Sequence, residues 1–537
     1  MDRRTFVKSF GAAALTVGGT ERLPIIHTGA RSAASLVVDP TPKFEISPYL
    51  YMQFMEPLGT TDGSVEASWD YAKDDWREDL VAATSELAPD VIRWGGNFIR
   101  WYRWREGVGP VAERPWMYNL EWGGKETNRV GTHEFVDFCR RVGAEPLMCV
   151  NFLSDGHKEY WNTIHGENRT GDANEAADWV SYANDPDNAE RRRHGVDEPY
   201  NIRLWQIGNE TSYGDRGFPR DEAIQHTIEF ARAMRARDPS IQLLGWGDDY
   251  RRGGFTGDYW APAMLDRAGE YLDYIALHMM GMSPQREDTV LRGFEYQKDP
   301  ERAWEEMLEL TGVVERRLKE IREIVDAHGP DKGIAITEGH VSFDPHNANP
   351  ILQEWLSAVY HARTMNLYLR NGDRVKICTG ADFAGTRWTV NAVQIPVPRG
   401  QSFLLPIATI MRLFNRHKGS HGVMVRHAPP ELDVTASRDE NTVYLHVLNT
   451  SYRNPVEASL EVEGLAIRGG RVHEIAPEDP RAYVDRNNTD TFVPVEKQLP
   501  PGTTTWRFPP RSVSVVELDV AVATAMGDVL SATSSAA

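Results

Sequence analysis

The sequence predicts a (β/α)8 TIM barrel followed by an all-β sandwich of jelly-roll-like type. Three observations carry that prediction. Short apolar segments alternate with helix-patterned stretches eight times, chemically capable polar residues follow those segments, and the pattern changes to apolar–polar alternation near residue 420. Strand–helix alternation builds a parallel sheet covered by helices, and eight repeats are enough to close it. A chain of 537 residues has room for such a barrel and one smaller domain.

The eight strand segments are residues 49–54, 91–94, 146–151, 202–208, 243–247, 274–279, 333–337 and 375–379. Apolar runs this short, several of them closed by Gly or Asn, read as parallel strands buried on both faces. Between them, Thr132 is placed to cap a helix with Phe135, Phe138, Cys139 and Val142 inward, stopping at Gly143. Residues 222–237 put Ile224, Ile228, Ala231 and Met234 on one face and stop at Asp238-Pro239. Longer helical patterns cover 301–328 and 351–370, the latter ending at Asn371-Gly372. The barrel is thereby placed at 48–415.

From 420 to 520 the segments 432–436, 442–449, 458–462, 471–475, 491–495 and 513–520 alternate between Asn, Pro and Gly turns, the pattern of a sandwich. Residues 35–46 are available as a further strand. The final 521–537, small and polar, read as a disordered tail. At the other end, Arg3-Arg4-Thr5-Phe6-Val7-Lys8 precedes a mildly apolar run of small residues and resembles a twin-arginine export signal. Residues 1–35 are therefore set aside as a leader, and the expected location is outside the cytoplasm, periplasmic or extracellular.

A net charge of −19 excludes nucleic acid and anionic membrane surfaces as partners, and no apolar run is long enough to span a bilayer. Cys139, Cys149 and Cys378 form neither a disulfide framework nor a metal-ligand spacing. No phosphate loop, zinc motif or calcium loop is present, so no cofactor and no metal are expected. Sixteen Trp and nineteen Tyr provide flat surfaces on which a carbohydrate can stack. A homo-oligomer is compatible with all of this.

Residues at the C-terminal ends of barrel strands converge on one mouth. Here they are Glu56, then Arg93 and Asn97, Asn151, Asn209 with Glu210, Asp248-Asp249, His278, Glu338 and Asp382. Carboxylates at the ends of strands four and seven face each other across the mouth. Glycoside hydrolysis needs that pair: one acid protonates the departing oxygen and one carboxylate attacks the anomeric carbon. The acid must sit where its charge is disfavoured, and the nucleophile where donors hold it ionised. His278 is expected to orient a carboxylate or a sugar hydroxyl, and Asp248-Asp249 reads as a solvated loop.

The run 91–98 (Val-Ile-Arg-Trp-Gly-Gly-Asn-Phe), with Trp104, 107–110 (Gly-Val-Gly-Pro) and Arg114-Pro115, resembles glycoside hydrolase family 51, the α-L-arabinofuranosidases. So do Gly131-Thr132-His133-Glu134-Phe135, Gly143-Ala144-Glu145-Pro146, Gly208-Asn209-Glu210, Tyr360-His361-Ala362-Arg363 and Asp373-Arg374-Val375-Lys376. The resemblance covers about residues 45–420. It implies a barrel with a β-sandwich and a reaction that retains anomeric configuration. By that likeness Glu210 is the general acid/base, Glu338 the nucleophile, and Asn209 the partner of the sugar 2-hydroxyl. Glu56, Arg93 and Asn97 line or support the sugar subsite, and His278 and Asp382 join them at the strand ends. The chain departs from the family pattern at Met279-Met280, Gly339-His340, Ala381-Asp382 and 57–69, positions that bear on which sugar is taken. Set against an exported enzyme releasing terminal α-L-arabinofuranosyl residues are a hydrolase of another furanoside, an endo-acting β-glucanase on the same barrel, and a non-catalytic carbohydrate-binding protein.

Overall fold

The computed structural model describes residues 34–522 apart from 214–215, 249, 252–253, 256 and 285. Eight parallel strands hydrogen-bond in chain order: Met52–Met55, Val91–Trp94, Glu145–Val150, Leu204–Ile207, Gln242–Trp246, Tyr274–Met282, Gly333–Ser342 and Val375–Ile377. The ring closes where Met52 N donates to Cys378 O at 2.8 Å and Cys378 N to Leu50 O at 2.7 Å. Every residue of strands one, two and four is buried, as expected of strands packed on both faces.

A helix follows each strand: Glu78–Leu87, Thr132–Val142, Ala173–Asn184, Arg220–Arg237, Ala261–Ala268, Pro300–His328, Ala358–Arg370 and Pro406–Arg416. In the second, Phe135, Phe138, Cys139 and Val142 are buried on one face and Gly143 ends it in a left-handed turn at φ 78°. Thr132 does not cap it. Glu134 accepts from the Gly131 N–H at 3.0 Å, while the Thr132 hydroxyl accepts from Trp179 Nε1 at 3.1 Å. The helix expected over 351–370 is broken: Glu354 is extended (φ −91°, ψ 153°) and two short turns, Pro350–Gln353 and Trp355–Ser357, precede Ala358. Arg481 grips the Glu354 carboxylate at 2.7 and 2.9 Å, a contact from the second domain that no local pattern announces.

Strands six and seven run further than expected, to Met282 and Ser342, and stay paired to their tips. They stand above the mouth like a parapet. After strand eight, Asp382–Gly385, Asn391–Gln394 and Phe403–Leu404 form a small sheet. Asp62 pins its connecting loop, accepting from the backbone of Trp388 at 2.9 Å and from Asn391 Nδ2 at 2.8 Å.

The second domain is a nine-stranded sheet in the order Val495–Leu499, Leu465–Ile475, Val513–Val522, Thr442–Asn449, Leu432–Arg438, His421–His427, Ala34–Glu45, Val456–Val462 and Thr505–Phe508. Leu499 and Val472 from one end of that order pack in the same apolar cluster as Phe508 and Leu460 from the other. The sheet therefore folds over itself around one core. Its strand Ala34–Glu45 pairs antiparallel with His421–His427 and parallel with Val456–Val462. Ala34 and Ser35, set aside with the leader, thus belong to the fold, because their backbone is held by Ala458 and Ser459. No helix among the described residues is long and apolar enough to cross a membrane.

Candidate active site

The strand-four stretch Leu204–Ile207 is followed by Gly208 at φ 74° and Glu210 at φ 53°, both left-handed. A Cβ at Gly208 would stand 2.6 Å from Asp155 Oδ1, so glycine is needed for both space and conformation. A left-handed glutamate is a strained choice, held here by its neighbours. Asp155 accepts from the Asn209 N–H at 3.2 Å and from the Thr211 hydroxyl at 2.9 Å. Burial pushes the Asp155 carboxyl up to about 7, against the pull of the nearby Arg100 charge.

Glu210 Oε1 lies 3.0 Å from His278 Nδ1, and the same nitrogen lies 3.6 Å from Glu338 Oε2. One ligand-capable atom from each of the three residues falls within 4.8 Å of the others. Arg93, wholly buried, donates from Nη1 to Glu338 Oε1 at 3.0 Å, from Nε to Gln206 Oε1 at 2.9 Å, and from Nη2 to Asn209 Oδ1. Asn209 passes the chain on, donating to Asn97 Oδ1 at 3.1 Å. Arg100 adds a further positive charge, with Nη2 3.9 Å from Glu210 Oε2. Beneath His278, its backbone N–H donates to Asp248 Oδ2 at 3.1 Å, and Asp248 is gripped by Arg317 at 2.6 Å and Tyr213 at 2.8 Å.

These surroundings set the charges. Burial above all pushes the Glu338 carboxyl up to about 7; His278 and Arg93 pull it back, while Glu210 and Glu56 add to the rise. Glu210 is partly buried, and desolvation raises it too, but the His278 hydrogen bond, the charges of His278 and Arg100 and a contribution from Asn97 win, holding it below its ordinary value. Burial thus disfavours the charge of Glu338 more than that of Glu210, the reverse of the ordering that glycoside hydrolysis requires at the moment of attack. Burial drives Glu56 up to about 8 despite hydrogen bonds from Trp122 Nε1 at 2.8 Å and the Phe98 N–H at 3.1 Å. Gly96, at φ 141°, lets that carboxyl approach: a Cβ there would meet Glu56 Oε2 at 2.1 Å.

A cavity of about 640 Å³ opens above these groups. Glu56, Asn97, Glu210, Glu338 and Asp382 line it directly, whereas Arg93, Asn209 and His278 lie beneath its floor at zero exposure. His340 Nδ1 meets Asp382 Oδ1 at 2.7 Å on the cavity wall, so these two departures from the family pattern are one paired unit. Asp248 is not a solvated loop residue but wholly buried, and Asp249 lies outside the described residues. Sequence reasoning also passed over Asp155, Gln206, Arg100 and Arg317. An acid after strand three was a usable signal for Asp155, although Asn151 was the nearer strand-end candidate.

Among the described residues, two clusters have donor sets compatible with a cation: Glu210, His278 and Glu338, and, in the junction with the sandwich, His417, His473 and Glu517. Arg93 already occupies Glu338 in the first. In the second, Arg471 lies 2.7 Å from Glu517, whose other oxygen meets His417 Nδ1 at 2.7 Å, so the carboxylate is already partnered on both oxygens.

Residues 83–298 match the family model described as the α-L-arabinofuranosidase 1 domain. The intracellular exo-α-(1→5)-L-arabinofuranosidase of Halalkalibacterium halodurans is 35% identical over 257 residues, 46% of this chain and 48% of that protein. The enzyme of the same name from Acetivibrio thermocellus is 35% identical over 258 residues, again 46% and 48%. The chain thus spans about half the length of the curated relatives it matches. The solved GH51 α-L-arabinofuranosidase of Thermotoga petrophila RKU-1 superposes with a TM-score of 0.74 at 24% identity, covering 90% of this chain and all of that one, a likeness of fold. The resemblance carried by the motifs and the barrel-plus-β architecture are both borne out. The expectation of export is not: the two relatives that are 35% identical over 46% of the chain are named intracellular. Paired arginines before a run of small residues are equally the mark of an ordinary basic N-terminus, and residues 1–33 lie outside the described part.

Proposed function

We propose that this protein is a retaining glycoside hydrolase that releases terminal α-L-arabinofuranosyl residues from oligosaccharides or polysaccharides. The carrying observation is the Glu210–His278–Glu338 line at the barrel mouth, with carboxylate oxygens within 4.8 Å. Retaining pairs stand about 5–5.5 Å apart, and inverting pairs about 6.5–9.5 Å because a water must fit between carboxylate and sugar. The shorter separation supports retention. Similarity to proteins named α-L-arabinofuranosidases supports the sugar.

In this reading Glu338 is the nucleophile. Arg93 fixes its Oε1 and leaves Oε2 on the His278 side to attack the anomeric carbon. Glu210 protonates the departing oxygen, then takes a proton from the water that releases the sugar from Glu338. Arg93 and sugar hydroxyls stabilise the ionised Glu338. Asn97, held by Asn209, and Glu56, a neutral acid at pH 7, present polar groups to the ring.

Hydrolysis of 4-nitrophenyl α-L-arabinofuranoside tests the assignment. Glu338→Ala and Glu210→Ala are each expected to lower turnover by roughly 10²–10⁴-fold, and NMR of the first-formed arabinose to show the α-anomer. Wild-type rates in either variant, or a β-anomer formed first, would overturn the roles. A panel of aryl glycosides separates arabinofuranose from other furanosides and from β-glucosides.

A further inference from the structure

The cavity has two unlike sides. Toward strands one, two, seven and eight it presents Glu56, Asn97, His340 and Asp382, with Trp122 and Trp388 edge-to-face at 5.7 Å. Toward strand six it presents Met280, Met282, Leu310, Val313 and Val314. Backbone geometry explains this. Side chains two apart on a strand share a face, so Met280 and Met282, on the extension of strand six beyond the mouth, point the same way as His278. Leu310, Val313, Val314 and Arg317 follow the i, i+3, i+4, i+7 spacing of one helix face, whose Arg317 end is anchored on the barrel at His278 O and Asp248 and whose Leu310–Val313 end lines the cavity. Leu310 and Val313 are only partly buried, and Met282 is 52% exposed.

This wall, paired along its edge with strand seven, shares the cavity with Glu210 and lies away from the polar Glu56 and Asn97 that are assigned to the sugar. Tyr213, three residues after Glu210, lines the cavity beside it and sets its ring edge-on to His278 at 6.0 Å. With the sugar on the polar groups, the leaving group, whose oxygen Glu210 is assigned to protonate, is left the apolar part of the same cavity. We infer that the Met280–Met282 and Leu310–Val314 wall is an aglycone subsite for an apolar, ring-bearing leaving group, so that aryl-substituted arabinofuranosides are bound better than arabino-oligosaccharides of the same linkage. The inference rests on the proposed glycosidase reading. A volume of about 640 Å³ lies within the roughly 300–1,000 Å³ of pockets that bury drug-sized molecules, and one pentose fills only part of it. A sugar placed against this wall would turn its hydroxyls toward Met and Val side chains, and polar groups buried without partners are costly. An aromatic ring there gains apolar burial and thioether–ring contacts, which flexible Met side chains make readily.

The test compares methyl with benzyl α-L-arabinofuranoside, whose alcohols are of nearly equal acidity, so that the difference is the ring. The benzyl glycoside is expected to have a kcat/KM roughly tenfold higher or more, gained in KM with kcat little changed, and to exceed an α-1,5-linked arabinobiose as well. Met282→Gln with Leu310→Gln should drive the benzyl-to-methyl ratio toward one; the exposure of Met282 makes its replacement tolerable to the fold. A ratio near one in the wild type, an unchanged ratio in the variant, or arabinobiose preferred over the benzyl glycoside overturns the subsite. Calorimetry on Glu338→Gln protein separates this from the catalytic reading. If the wild-type protein hydrolyses neither glycoside but benzyl binds the Glu338→Gln protein about tenfold tighter than methyl, the hydrolase assignment fails and the apolar subsite stands. Equal affinity sinks the subsite even where both are hydrolysed.

Discussion

Beneath the cavity, Arg93 alone ties together Glu338, Gln206 and Asn209, and Asn209 ties in Asn97. The strand-six wall, by contrast, offers Met, Leu and Val side chains whose positions are set by packing. The floor is over-determined, as chemistry demands when groups must be held within about 0.5 Å of productive geometry. The wall is adaptable, which suits recognition of a leaving group that varies. The difference implies that substitutions in the floor cost rate, and substitutions in the wall cost selectivity.

The sharpest way to break that contrast is Arg93→Met. It removes a wholly buried cation and leaves Glu338, Gln206 and Asn209 without their donor. Breaking a buried pair by removing one partner costs about 3–5 kcal/mol, so a clear drop in thermal midpoint is expected together with a fall in kcat/KM of roughly 10³-fold. A variant that melts and turns over like the wild type would show that the floor is not fixed by this residue.

Next in size is the pH profile. The free protein needs one proton on the Glu210–Glu338 pair. Above the raised value of about 7, Glu338 loses it and both carboxylates are ionised, so kcat/KM should fall about tenfold per pH unit on the alkaline side. On the acid side activity is lost only as Glu210 gains a proton, and Glu210 is held below its ordinary value, so that limb lies at unusually low pH. A profile flat from pH 6 to 9 would contradict the shared-proton picture.

The residues of the floor and of the polar lining were legible in the sequence because of where barrel strands end. Glu56, Arg93, Asn97, Asn209, Glu210, His278, Glu338 and Asp382 need only the count of strands to be brought to one mouth, whatever the loops do. Other parts depend on contacts that no local pattern encodes. Asp248 is buried by Arg317, 69 residues later, and the break at Glu354 is made by Arg481, 127 residues later. Asp155 sits in a turn of consecutive left-handed residues, Leu153, Ser154 and Asp155, that no residue-type rule foretells. The parapet was missed because Gly281 and Gly339 interrupt the apolar runs that mark strands, although pairing continues through both.

Glu56 offers a smaller and more discriminating effect. Raised to about 8, it is mostly protonated at pH 7, and Gln reproduces a neutral carboxyl's shape and acceptor oxygen. Glu56→Gln should therefore keep kcat/KM within about tenfold of wild type at pH 7. Glu56→Ala strands Trp122 Nε1 and the Phe98 N–H, at about 1–3 kcal/mol for each buried group left unpaired, and should lose both more stability and more activity. Equal losses in the two variants, measured by kinetics and melting, would mean that the charge of Glu56 matters and its acceptor role does not.

The smallest effect is expected on the wall, at Val313→Thr. Val313 is half-buried on the cavity face of Pro300–His328, and the added hydroxyl of a helical Thr can return to a carbonyl one turn back. Stability should change by less than about 1 kcal/mol, and the rate on a methyl glycoside should shift less than the rate on a benzyl glycoside. Val314, one residue on and 4% exposed, provides the control on the same helix. Thr there puts its hydroxyl into tight packing, so the stability loss should be larger than at 313. If the two variants proved equally damaging to the fold, the 313 side chain would be core, and the wall would be narrower than its lining residues imply.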